Sequence, residues 1–254
     1  DFREALAMPA KENTFRHYRL NQWTQQANRW LPMHDWNQCK GKVIAEPGAT
    51  CWGGLDLSKS HDVAAFAMVF PQEDGTYHVK PHFWISEHHF RERETQNRQR
   101  FNEWFHAGLV TVCEGAAVNF EMVAEHIIEA SQEFDLREVA FDPWYGKVVE
   151  QICTNAGVTM VAFAQTMPMM GPVASEVLAK VKSHLIVHDG NPVLSWMANN
   201  VATFKSGDAE MMSKKTSPEK IDGMIAFGMA LQRCVLQQGE PKADFYEHNA
   251  VEIW

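Results

Sequence analysis

Cysteine is sparse and scattered here. The 254-residue chain has five, Cys39, Cys51, Cys113, Cys153 and Cys234, with no CxxC pair. An odd number at long spacings argues against a disulfide framework or a cysteine-built zinc site, and fits free thiols in a reducing compartment. No hydrophobic run approaches the roughly 20 residues of a membrane-spanning helix, and no signal peptide is expected at the start. Excess positive charge is also missing. Lys and Arg number 23 against 32 Asp and Glu, a net of −9. That balance argues against coating nucleic acid nonspecifically. It leaves room for a local basic groove, or for carboxylates offset by bound metal. There is no GxxxxGK[ST] motif, so these residues carry no P-loop phosphate site. Internal repeats and low-complexity tracts are absent as well.

What is present suffices for a sizeable core: 45% of residues are hydrophobic and 11% aromatic. The organising stretch runs from Trp52 to Phe70, WGGLDLSKSHDVAAFAMVF. Gly53 to Leu57 reads as a short apolar strand containing Asp56. Ser58 to Asp62 reads as a turn, and Val63 to Phe70 as a strand pairing back. Thr76 to Ser86 supplies a third strand, giving an antiparallel meander. Phe90 to Ala107 is a charged helix with a solvated face. Strands and helices then alternate: strand 109–113, helix 120–134, strand 139–141, helix 146–156 and strand 158–163. Helix 171–183, strand 184–187 and a helix opening at Asn191-Pro192 follow. That order implies parallel pairing and an α/β sheet. Two short extended pieces flank Ser206-Gly207-Asp208. A final helix is predicted from Ser217, as N-cap, to about Gln237. Before the meander, Tyr18 to Pro32 spaces Leu20, Trp23, Ala27, Trp30 and Leu31 as an amphipathic helix, and 37–47 reads as a connector. The chain begins with Asp rather than Met and is expected to be a piece of something longer.

Three acids share one oddity: each lies in apolar surroundings at the edge of a regular element. Asp56 is on the first strand (GGLDLS), Asp142 ends a central strand (VAFDPW), and Asp222 opens the last helix (KIDGMIAF). A carboxylate inside a buried strand is costly unless something neutralises it. Three meeting at one sheet edge would stay ionised only around a cation, and hard oxygen donors suit Mg²⁺ or Mn²⁺. Taken singly, each Asp is equally a capping, turn or salt-bridged residue.

The order of these pieces resembles the ribonuclease H-like nuclease domain of the large terminase subunit of tailed bacteriophages. The likeness is carried by GGLDLSKSHDVAAFAMVFP, VAFDPWYG, HDGNPVLSWMANNVATF and KKTSPEKIDGMIAFGMAL, and by the leading HYRLNQWTQQANRWLP. It implies a mixed sheet, an antiparallel meander followed by parallel strands, flanked by helices. It implies a connector at 1–41 leading from an ATPase domain outside this sequence, a nuclease domain at 42–238 and a polar tail at 239–254. It implies Asp56, Asp142 and Asp222 as metal-binding catalytic acids, Asp62 as a further acid, and Mg²⁺ or Mn²⁺, two ions, as cofactor. The activity implied is endonucleolytic cutting of concatemeric double-stranded viral DNA. The partners implied are DNA, the upstream ATPase of the same polypeptide, the portal protein and the small terminase subunit, with no membrane. The location implied is the bacterial host cytoplasm, with the protein absent from or transient on the mature virion. A DNA- or portal-docking module with little cleavage is the main alternative, and a junction resolvase or other ribonuclease H-like nuclease the next.

Lesser features remain open. Lys205, Lys214, Lys215 and Lys220 precede the Asp222 helix and are candidates for holding phosphates, or simply a solvated loop. His188 and Asn191 fit the family pattern, yet turn geometry and capping explain them as well. His82, His88 and His89 lack the spacing of a soft-metal site. The methionines near Met167 and Met211 read as adaptable packing. Trp144 is placed either at the rim of the site or in the core.

Overall fold

The computed structural model describes residues 30–57 and 63–238. The Tyr18–Pro32 helix as far as residue 29, the turn with Asp62, and the tail from 239 lie outside the described residues. The elements are α1 (Met33–Gln38), β1 (Thr50–Asp56), β2 (Ala64–Pro71), β3 (Tyr77–Ser86), α2 (Glu87–His106), β4 (Thr111–Cys113), α3 (Phe120–Glu133), β5 (Asp135–Phe141), α4 (Pro143–Asn155), β6 (Met160–Ala162), α5 (Met167–Lys182), β7 (Ile186–His188), α6 (Pro192–Asn200), β8 (Thr203–Ser206), β9 (Ala209–Met212) and α7 (Asp222–Gln238).

Among the described residues, seven strands form one sheet in the order β4-β3-β2-β1-β5-β6, with β7 also paired to β3. β1, β2 and β3 are antiparallel neighbours, whereas β5 and β6 add in parallel. The mixed sheet anticipated from the sequence is therefore present. Its central strands are buried on both faces. Cys51, Leu55, Phe66, Val139 and Phe141 belong to the core shared with α3 and α4. Trp52, Ala65, Ala67 and Ala140 belong to the opposite core, built with α5, α6 and α7. Two-sided burial explains why β1 and β2 read as continuous apolar runs rather than as alternating ones.

α7 lies against β1 with almost no space between them. A Cβ on Gly54 would stand 2.0 Å from the Ala226 carbonyl oxygen and 2.8 Å from the Ala230 nitrogen. Only a glycine allows that approach. Gly54 thereby admits the helix. Gly223 has the same role at the helix start, where a Cβ would meet the Phe83 ring at 2.7 Å. The far end of α7 is pinned by polar contacts. Buried Glu138 pairs with Arg233 and accepts from Gln237 Nε2 at 2.7 Å, and Trp52 Nε1 donates to Gln237 Oε1 at 2.9 Å.

One expectation is corrected. α7 begins at Asp222, not at Ser217. Ser217 is spent elsewhere: its hydroxyl donates to the Ser213 carbonyl at 2.8 Å and accepts from Ala202 N at 2.9 Å. Residues 31–39 also pack on the sheet domain. Leu31, Trp36 and Cys39 are buried in the core, and the Trp36 ring stacks on His188 at 4.2 Å between centroids.

Candidate metal centre

Position along the chain dictates the site. β1 and β5 run parallel with Leu55 beside Phe141, so one more step of that register sets Asp56 beside Asp142 at the strand ends. Alternation puts both on the face covered by α7. The tight packing over Gly54 carries Asp222, the first residue of α7, to the same edge.

Asp56 and Asp222 are 0% and 1% exposed. Between them stands the Lys214 ammonium, with Nζ 2.6 Å from Asp56 Oδ2 and 2.8 Å from Asp222 Oδ1. The other Asp56 oxygen accepts from Gln165 Nε2 at 2.8 Å. Asp222 Oδ2 has no hydrogen-bond partner among the described residues. Burial pushes the Asp56 carboxyl up to about 6. Lys214 works against that shift, Asp222 adds to it, and Gln165 opposes it. Burial alone would lower the Lys214 pKa, but the two carboxylates outweigh it and the net shift is upward.

Asp142 has a different environment. It is half-buried and caps α4, its Oδ1 accepting from Trp144 N at 3.1 Å. Among the described residues no three His, Cys, Asp or Glu side chains gather as a metal-binding group. The structure thus brings two of the three expected acids together and places the third on the adjacent strand end. The donor set still fits a hard divalent cation. Two buried carboxylates carry two negative charges against one ammonium, and a buried carboxylate oxygen without a partner is expensive unless a cation meets it.

The expected lysines separate. Lys214 enters the site. Lys205 lies on the β8–β9 hairpin and pairs with Glu210 at 3.6 Å. Lys220 lines a cleft of about 220 Å³ beside Lys214 and Asp222. Lys215 is exposed in the turn between β9 and α7. Gln165 escaped the sequence reading; the available signal was its place just past β6, the same kind of strand-end position as Asp142. Trp144 is 85% exposed, which removes the core alternative. Asn191 caps α6, accepting from Val193 N and Leu194 N, and His188 is buried against Trp36, so turn and capping roles account for both. His82 bonds Thr111 and packs at a tilt against the His126 ring.

A mixed sheet ordered β3-β2-β1-β5-β6 with β2 antiparallel, and acids at the β1 and β5 ends and on a helix laid over β1, defines a ribonuclease H-like fold. Residues 1–238 match the terminase large subunit, endonuclease domain family, and the chain belongs to it. It is 30% identical over 248 residues to the terminase large subunit of Enterobacteria phage HK97, covering 95% of this chain and 49% of that protein. Protein YmfN of Escherichia coli K12 is 26% identical over 242 residues, covering 90% of this chain and 53% of that protein. The chain therefore spans about half the length of these relatives. The crystal structure of the HK97 large terminase superposes with a TM-score of 0.74 at 29% identity, covering 91% of this chain and 49% of that one. The large terminase nuclease from thermophilic phage G20c shares the fold alone, with a TM-score of 0.52 at 9% identity over 75% of this chain and 87% of that one. A further structure of that nuclease holds magnesium, with a TM-score of 0.51 at 9% identity over 75% of this chain and 86% of that one. The family match, not the fold, separates the chain from junction resolvases.

Proposed function

We propose that this chain is a divalent-metal-dependent DNA endonuclease that cuts concatemeric double-stranded DNA during viral genome packaging. The observation that carries it is the pair of fully buried carboxylates, Asp56 and Asp222, meeting around one cation position at the edge of a terminase nuclease sheet. Asp56, Asp222 and Asp142 would hold Mg²⁺ or Mn²⁺, two ions, with Asp62 a further ligand. Divalent ions held by these residues would supply Lewis acidity for activating water and stabilising the leaving oxygen of a phosphodiester. Gln165 fixes the orientation of Asp56 through Oδ1. Asp142 keeps its Oδ1 on the α4 cap while standing next to Asp56 in register. Lys205, Lys215 and Lys220, on the segment leading into α7, supply phosphate contacts. Lys147 and the exposed Trp144, both on α4 next to Asp142, are further proposed DNA contacts. Cutting is proposed to be largely independent of base sequence.

The upstream ATPase of a longer polypeptide, the portal and the small terminase subunit are the proposed partners, in the cytoplasm of a bacterial host. No described helix is long and apolar enough to cross a membrane. One observation favours a second reading, in which the isolated domain docks on DNA or the portal and cuts little. Lys214 already occupies the position between the two acids, and Asp142 is engaged on its helix.

Plasmid nicking in Mn²⁺ separates these readings. Asp142→Asn keeps the cap, because Asn caps as well as Asp, and should abolish nicking without unfolding the chain. Undiminished cutting by that variant would sink the assignment. DNA binding by the wild-type chain without cleavage at any divalent ion would favour the docking reading.

A further inference from the structure

We propose that Lys214 is an exchangeable internal counter-ion. Its ammonium holds the cation position between Asp56 and Asp222 in the metal-free protein and surrenders it when a divalent ion enters. The proposal rests on the metal-site reading above.

Three observations carry it. First, Nζ lies within direct ionic contact of Asp56 Oδ2 and Asp222 Oδ1, so a divalent ion held by these two carboxylates would compete with it for the same space. One ammonium leaves the pair with a net charge of about −1, whereas a divalent ion cancels it and is drawn twice as strongly at equal distance. Second, the Lys214 side chain keeps 36% exposure although both acids are buried. It reaches in from the rim rather than being enclosed. Third, it has somewhere to go. The cleft of about 220 Å³ beside it is lined by Lys214, Ser217, Lys220 and Asp222 among others.

The backbone need not follow. Ser213 N donates to the Ala202 carbonyl at 3.0 Å, and Ser217 bonds both Ser213 and Ala202. That anchors the turn on either side of Lys214 and leaves the long side chain as the moving part. Two consequences follow. Displacing Lys214 weakens apparent metal affinity, because the ion must break two ion pairs before making its own. The displaced ammonium arrives in the cleft beside Lys220, adding positive charge where a phosphate would approach.

The test is Mn²⁺ binding by calorimetry to the wild-type chain, Lys214→Met, Lys214→Arg and Asp222→Asn. Lys214→Met should melt lower without metal and bind Mn²⁺ at least tenfold more tightly. Lys214→Arg, which retains the charge, should bind no more tightly than wild type. In wild type, the ¹⁵N resonance of the protected Lys214 ammonium should vanish when Mg²⁺ is added. Unchanged or weaker Mn²⁺ binding by Lys214→Met overturns the proposal, as does an ammonium resonance that persists at saturating Mg²⁺. Mn²⁺ binding that Asp222→Asn leaves untouched overturns the metal-site reading, and this proposal with it. Binding lost in Asp222→Asn but unaltered in Lys214→Met overturns only the exchange.

Discussion

The carbonyl oxygen of Ala226 stands 2.0 Å from where a Cβ on Gly54 would be, so helix α7 rests on the backbone of strand β1. This contact sets the distance between Asp56, two residues along the strand, and Asp222, one helical turn before Ala226. Gly54→Ala must push backbone from backbone, which no rotamer change relieves. The expected cost is at least about 3 kcal/mol, the upper part of the usual range for overpacking. Urea denaturation checks this, and the variant should lose divalent-ion binding along with stability.

The opposite end of α7 gives a second expectation. Arg233→Met would leave the Glu138 carboxylate buried with the Gln237 amide still donating to it, at a cost of about 3 kcal/mol. The double variant Glu138→Met with Arg233→Met should be less destabilised than the sum of the two single changes. Additive losses in a denaturation cycle would show that the pair is not coupled.

Acid should weaken the fold through a histidine pair. Burial, reinforced by His126, lowers the His82 pKa from 6.5 to about 4. Burial also lowers that of His126. Between these values the unfolded chain takes up protons that the folded chain refuses. Stability is therefore fully present above about pH 6.5 and is lost as pH falls towards 4. His82→Gln should flatten that slope in denaturation curves recorded across the window.

All five cysteines are free and buried. Burial pushes the Cys51 and Cys234 thiols up to about 12, and Cys39 and Cys153 to about 11. A thiol reagent at pH 8 should label the native chain slowly and all five sites promptly in denaturant. Fast native labelling of any of them would contradict the packing described.

Trp144 offers a change that spares the fold. Because its ring is 85% exposed, Trp144→Ala should alter stability by less than about 0.5 kcal/mol. On the proposed function it should weaken DNA binding measured in Ca²⁺, with Trp144→Phe recovering part of the loss.

Much of the architecture was legible because it is written locally. Apolar runs bounded by turn residues located β1 to β3, and an acid in an apolar strand drew attention to Asp56. An acid at a strand–Pro junction did the same for Asp142. What stayed hidden depends on distant chain segments meeting. Ser217-Pro218-Glu219 carries a helix-start pattern, yet tertiary bonds to Ala202 and Ser213 claim the hydroxyl and delay the helix to Asp222. Trp36 looked like part of a linker because nothing near it in sequence reveals His188, its stacking partner. Gln165 and Lys214 reach Asp56 across 109 and 158 residues, separations to which no local pattern points.

The central claim is that Asp56, Asp142 and Asp222 form one divalent-cation site from which Lys214 withdraws. Anomalous diffraction from crystals soaked in Mn²⁺ tests it most directly. The account predicts manganese density bound by oxygens of all three carboxylates, with Lys214 Nζ moved out of contact with Asp56 and Asp222. Manganese bound elsewhere, or Lys214 still lodged between the two acids at saturating Mn²⁺, would contradict it.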